Sequence, residues 1–265
     1  VSLPFHIVSA FSATPFAGNP AAVLRLPAAA WPQDAWLQGV AAQFNLSETA
    51  FLRPGAGGAW DLRWFTPLAE VDLCGHATLA SAAALWDAAV LGPDEAARFD
   101  TRSGRLSCVR GERGIGMDFP AVPAQLIAEP AGLMAALGAS PLQVLQAGDD
   151  WLVELSDATA VAELEPDLEP LKAFPARCVV VTAEGKDCDF VSRVFGPRVG
   201  IPEDPVTGST HCALGPWWGA RLGKQALQAR QLSRRGGELS VELQGDRVLL
   251  WGRACVTGRG HWEAD

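Results

Sequence analysis

The chain has 265 residues, of which 49% are apolar, with a net charge of −9 and an isoelectric point near 5.0. That length fits one large domain or two small ones, and the apolar content is ample for a buried core. The acidic balance argues against nucleic acid and anionic membrane surfaces, which favour basic faces, but not against a small anion held in one positive pocket.

Leu3 to Phe11 reads as a first strand and Asn19 to Leu26 as a second, after a turn at Ala17-Gly18-Asn19-Pro20. Pro32 opens a helix through Phe44, with Trp36, Leu37, Val40, Ala41 and Phe44 at helical spacing. Glu48 to Leu52 and Trp60 to Phe65 read as strands across a Pro-Gly turn. Residues 76 to 91 are almost wholly apolar, which predicts a helix buried on all sides and too short to span a bilayer. Strands at 97–101, 104–111 and 114–119 follow, and Phe119 to Pro123 reads as a crossing between domains 1–120 and 121–265.

The second half repeats the plan. Leu145 to Leu155, Arg177 to Thr182 and Asp189 to Phe195 read as strands, and Gly208 to Leu222 as a second buried helix that Pro216 should kink. Strands near 227–232, 238–243 and 247–252 close the pattern. The acid-rich stretch 149–172 reads as solvated surface. Antiparallel strands around one buried helix, twice over, make an α+β architecture of two pseudo-symmetric domains.

Two segments look like copies of one device. Arg63-Trp64-Phe65-Thr66-Pro67 leads to Glu70, five residues before Gly75, and Arg193-Val194-Phe195-Gly196-Pro197 leads to Glu203, five before Gly208. Each glycine opens an apolar helix. Helix N-termini carry unpaired N–H groups and partial positive charge, so two of them facing one cleft would bind an anion. Arg63 and Arg193 fit either a cleft or the outer sheet face and are left out of the site.

The six cysteines, Cys74, Cys108, Cys178, Cys188, Cys212 and Cys255, form no Cys-x-x-Cys and no Cys/His cluster of zinc spacing, so no metal site is expected. The start, Val1-Ser2-Leu3-Pro4-Phe5-His6, lacks the features of a signal peptide, and no apolar run reaches spanning length. Reduced thiols and a cytoplasmic protein are the expectation.

Four motifs together carry a family resemblance: the opening pattern of Phe5, Phe16, Gly18, Asn19 and Pro20, then Asn45-Leu46-Ser47-Glu48-Thr49-Ala50-Phe51, Cys74-Gly75-His76-Ala77-Thr78, and Glu203-Asp204-Pro205-Val206-Thr207-Gly208-Ser209. In this order the chain resembles the PhzF-like isomerases of phenazine biosynthesis, which share the diaminopimelate epimerase fold. The resemblance implies two barrel-like sheets, each around a central helix, with the active site between them. It implies that the last strands can return to the first domain, that the protein is a homodimer, and that no cofactor is used. Pro216-Trp217-Trp218 departs from the family, which often has tyrosine after the proline.

The resemblance assigns Glu48 as the proton-shuttling carboxylate and His76, Asp204 and Ser209 as its polar support. Gly75 and Gly208 match the glycines whose N–H groups hold a substrate carboxylate. A carboxylate enclosed in an apolar pocket has a raised pKa and can take and return a proton. Glu48 also reads as a surface carboxylate in a loop, and Asp204 as an N-terminal cap, a role open to Thr207 or Ser209 as well. His76, at a helix N-terminus, should have a lowered pKa and a neutral ring. Related epimerases use two facing cysteines. Here the first place is Cys74 and the second is Thr207, whose hydroxyl is no acid or base near neutral pH. Cys74 is then a remnant base or an inert buried thiol.

The reading is a cofactor-independent isomerase acting on a small carboxylate-bearing molecule. The alternatives are an amino-acid racemase or epimerase using Cys74, a dehydratase, and a non-catalytic ligand-binding or interaction protein of the same fold.

Overall fold

The computed structural model describes residues 2–263, and the chain divides into two units, Val1–Asp118 with Trp251–Asp265, and Phe119–Leu250. Among the described residues no helix is long and apolar enough to cross a membrane.

The first unit begins with β1 (Ser2–Ala10) and β2 (Asn19–Arg25), an antiparallel pair. Helix α1 (Asp34–Phe44) then carries the chain back so that β3 (Glu48–Pro54) runs parallel to β2, the crossover that a parallel pair requires. Asn45 stops α1 in the left-handed conformation (φ 49°), which asparagine tolerates better than most residues. Ala22, Leu24 and Phe51 pack with Leu37, Val40 and Ala41 of α1. Alternation along the strand turns Ala21 and Val23 to the other face, so β2 is covered on both sides and reads as a continuous apolar run.

Next come β4 (Trp60–Phe65), the two-residue β5 (Glu70–Val71), and α2 (Gly75–Asp87). Every residue of α2 from His76 to Trp86 is buried, as an all-apolar sequence demands. Each fully buried leucine there contributes about 2 kcal/mol. The helix ends at Asp87, four residues earlier than its apolar run predicts. Ala89 turns left-handed (φ 52°), and the N–H groups of Val90 and Leu91 fold back onto the Leu85 carbonyl. The strands β6 (Ala97–Thr101), β7 (Gly104–Gly111) and β8 (Gly114–Pro120) complete the antiparallel run.

The second unit uses the same order of pairings. After β9 (Ala124–Ile127) and the short helix α3 (Leu133–Leu137), β10 (Gln143–Ala147) and β11 (Asp150–Glu154) form a hairpin. The single strand predicted over 145–155 is therefore two, turning at Gly148 (φ 56°); the Gly-Asp pair at 148–149 is the signal for it. Helices α4 (Ala158–Ala162) and α5 (Leu168–Leu171) take the place of α1 and return the chain to β12 (Val179–Glu184), parallel to β11. Then β13 (Phe190–Gly196) and β14 (Ile201–Asp204) precede α6 (Gly208–Leu222).

Helix α6 runs unbroken through Pro216. The proline leaves the Cys212 carbonyl without its donor four residues on, and the Val122 N–H supplies one at 3.0 Å. The strands β15 (Ala226–Gln231), β16 (Gly237–Gln244) and β17 (Arg247–Gly252) follow. The acid-rich stretch is not all solvated. Asp150 and Glu154 are buried, Glu154 accepting from Arg221 Nη1 at 2.7 Å and from Gln143.

The last strand, β18 (Ala254–Glu263), belongs to the first unit and pairs antiparallel with β1 from Ser2–Glu263 to Ala10–Ala254. Both units are thus mixed α+β, mostly sheet, each holding one buried helix.

Candidate active site

In the first unit three chain segments deliver polar side chains to the first turn of α2. Glu48 opens β3, Asn19 opens β2, and Cys74-Gly75-His76 enters the helix. Cys74 is the N-cap residue but its side chain makes no capping bond. Its carbonyl accepts from the Thr78 N–H at 3.1 Å and hydroxyl at 2.6 Å, which fixes the first turn.

His76 sits at the centre of the group. Its Nε2 lies 3.0 Å from Glu48 Oε2, and both side chains are buried. Its Nδ1 lies 3.2 Å from Asn19 Nδ2 and 3.5 Å from Cys74 Sγ. In the neutral ring the Asn19 amide donates to Nδ1, which puts the ring proton on Nε2, facing Glu48. Glu48 is therefore neither a loop carboxylate nor exposed.

Burial is the largest influence on His76 and works against the imidazolium. The acidic neighbours Cys74 and Glu48 outweigh it, and the pKa is raised well above the ordinary value. The lowered pKa expected from the helix N-terminus is thus reversed, by Cys74 two residues away and by Glu48, which spacing along the chain does not bring near. Cys74 itself is pushed up to about 11, first by burial and then by Glu48.

Ligand atoms of Glu48, Cys74 and His76 lie within 4.8 Å of one another, so these are the residues that could hold a metal ion. A cavity of about 690 Å³ lies elsewhere in this unit, lined by Asp87, Arg110, Arg253 and Arg259 near the C-terminal end of α2. It includes none of the predicted site residues.

In the second unit the first turn of α6 carries Gly208 and Ser209, with Asp204 at the end of β14. Asp204 accepts a short hydrogen bond from the Thr207 hydroxyl. Neither residue caps the helix by its side chain, although Thr207 holds the N-cap position. Gln231 pins this loop. Its Oε1 accepts from the Thr207 N–H at 2.9 Å and its Nε2 donates to the Asp204 carbonyl at 2.7 Å. Arg177, just before β12, donates through Nη2 to Asp150 and, at 3.4 Å, to Ser209 Oγ.

Arg63 and Arg193 each bind the glutamate of the repeated device. Arg63 bonds Glu70 through Nε at 2.7 Å and Nη2 at 2.6 Å. Arg193 bonds Glu203 through Nε at 2.7 Å and Nη2 at 3.2 Å. They brace the loops ahead of α2 and α6.

Of the predicted residues, Glu48, Gly75 and His76 come together in the first unit, and Asp204, Gly208 and Ser209 in the second. Asn19, Gln231, Asp150 and Arg177 were not identified as site residues from the sequence. Asn19 stands inside the Gly18-Asn19-Pro20 motif, which was the available signal; the other three have none.

The phenazine biosynthesis-like protein family, PhzC-PhzF, matches residues 8–260. An uncharacterized isomerase of Pseudomonas aeruginosa is 49% identical over 97% of both chains. The crystal structure of a PhzF-family phenazine biosynthesis protein of Enterococcus faecalis superposes with a TM-score of 0.94 at 41% identity, covering 100% of both chains. A hydroxyproline epimerase of Agrobacterium vitis shares the fold at 13% identity, with a TM-score of 0.66 over 98% of this chain and 92% of its own.

Proposed function

Because this chain belongs to the PhzC-PhzF, phenazine biosynthesis-like family, we propose that it is an isomerase that moves a proton between two carbons of a small carboxylate-bearing substrate, with Glu48 as the group that carries it. The observation that supports this reading is the buried Glu48–His76 contact at 3.0 Å. A carboxylate placed beside an imidazole can accept a proton from one carbon and return it to a second. His76 offsets the charge on Glu48 and orients the carboxylate. The groups proposed to meet substrate are, in the first unit, the Gly75 N–H at the opening of α2 and, in the second unit, the Gly208 N–H with Ser209 and Asp204 at the opening of α6.

Two-thiol racemisation fits poorly. The Cys74 thiol, pushed up to about 11, is a weak base near pH 7, and Thr207 offers its hydroxyl to Asp204. A homodimer is part of the same proposal, and light scattering should then give twice the 28.0 kDa chain mass.

The test is deuterium incorporation in D₂O, followed by NMR, with a panel of cyclic and acyclic amino and hydroxy acids. Exchange or rearrangement in the wild type that disappears in Glu48→Gln is the expected result. Exchange that survives in Glu48→Gln would place the base elsewhere. Loss of water from a hydroxy acid, seen by mass spectrometry, would make the enzyme a dehydratase instead.

A further inference from the structure

The two units share a topology, and the residues at matching places differ in charge. In the first unit the openings of β2 and β3 bring Asn19 and Glu48 to the second residue of α2, His76. In the second unit the opening of β11 and the residue leading into β12 bring Asp150 and Arg177 to the second residue of α6, Ser209. One unit presents a carboxylate backed by an imidazole. The other presents a guanidinium backed by a carboxylate.

The second set is built to fix Arg177 in place. Asp150 is 6% exposed. Its Oδ1 accepts from the Cys178 N–H at 3.2 Å and its Oδ2 from Arg177 Nη2, and the Arg177 backbone N–H is tied to the Asp149 carbonyl at 2.7 Å. Arg177 itself is 42% exposed along its side chain. Its Nε and Nη1 have no hydrogen-bond partner among the described residues.

Burial raises the Asp150 pKa more than Arg177 lowers it. The pair is thus a poor source of stability, as buried ion pairs often are, and a good clamp on the orientation of the arginine. A guanidinium held through Nη2, with Nε and Nη1 left over, still offers a carboxylate single charge-assisted hydrogen bonds from a fixed cation.

We propose that Arg177 is the anion-recognition residue of the site, taking the carboxylate of the substrate with Ser209 while Asp150 acts as its positioning residue. The proposal rests on the carboxylate-substrate reading above and adds the residue that selects for it.

Calorimetric binding of 2-aminobenzoate and its neutral analogue 2-aminobenzamide tests this directly. The wild type should prefer the acid by about 10- to 100-fold, the range for losing one charge-assisted hydrogen bond. Arg177→Gln should abolish that preference, with acid affinity falling more than amide affinity. Arg177→Lys should keep part of it, because the charge survives while the fixed direction of the donor is lost. Asp150→Asn should weaken acid binding without abolishing it. Circular dichroism establishes that each variant is folded.

Wild-type protein that binds the acid no better than the amide, or an Arg177→Gln protein that keeps the full preference, overturns the proposal. Preference lost in Arg177→Gln without any Glu48-dependent exchange would keep the anion anchor and remove the isomerase. Glu48-dependent exchange with the preference intact in Arg177→Gln would do the reverse.

Discussion

Arg63 and Glu70 form a two-pronged ion pair, at 2.7 and 2.6 Å, directly ahead of α2. The side chains are 12% and 13% exposed. Arg63 is shared with Asp34 at 2.8 Å and lies over the Phe65 ring, so it ties the loop to the sheet and to α1. Removing the acid would leave a nearly buried guanidinium with only the exposed Asp34 as its counter-charge. Glu70→Gln should lower unfolding free energy by about 3 kcal/mol, read as a shift in the urea midpoint with the slope unchanged. A shift of a few tenths would mean that the pair is only decorative.

His76 gives a pH signature. Its folded pKa lies above the ordinary 6.5, so the stability it adds is fully present below pH 6.5 and is lost as pH rises through the folded pKa. The ring should remain an imidazolium above pH 7 by NMR. In Glu48→Gln one of the two neighbours that raise it is gone, and the pKa should fall. A ring whose titration is the same in both proteins would show that the Glu48 contact does not govern it.

His211 behaves in the opposite sense. Burial presses its pKa down to about 4, although the Thr207 carbonyl at 2.7 Å works against this. A depressed histidine binds protons more readily when unfolded, so the protein loses stability as pH falls from 6.5 toward 4. The full loss is about 3 kcal/mol, from about 1.4 kcal/mol per unit. Urea midpoints over that window should flatten in His211→Phe, whose ring still faces Phe190.

Gly18 has φ +70°, and a Cβ there would stand 2.3 Å from the Ala10 carbonyl oxygen. Gly18→Ala should destabilise the protein by about 2 kcal/mol or more. Because Asn19 is the next residue, the variant should also shift the His76 ring signals. Destabilisation without that shift would uncouple the turn from the site.

Much of this arrangement was readable in the chain because it is local. The two Glu-to-Gly spacings mark both loops, and the apolar runs mark both buried helices, since a helix without a polar face has no stable place except the interior. What could not be read is set by pairs distant in sequence. Glu48 meets His76 only because α1 returns β3 alongside β2, and that contact helps to reverse the expected histidine pKa. Asp150 lies in a run of acids whose composition argues for solvent, yet a hairpin and a parallel strand enclose it. Gln231 bonds Thr207 from the end of β15, with the whole of α6 between them in sequence. The predicted kink at Pro216 took no account of Val122, whose N–H supplies the missing bond from outside the helix.

The pairing of β18 with β1 also bears on how the chain is made. The ribosome releases β1 with β2 beside it, but the strand that covers its other edge is synthesised only after the whole second unit. Until then β1 presents unpaired backbone donors and acceptors, the kind of edge that recruits other chains. The second unit lies between those strands in the sequence and can assemble its own sheet while the first still waits. A nascent chain stalled before residue 254 should therefore lean on chaperones for its first unit, and moving β18 ahead of β1 by circular permutation should relieve that dependence.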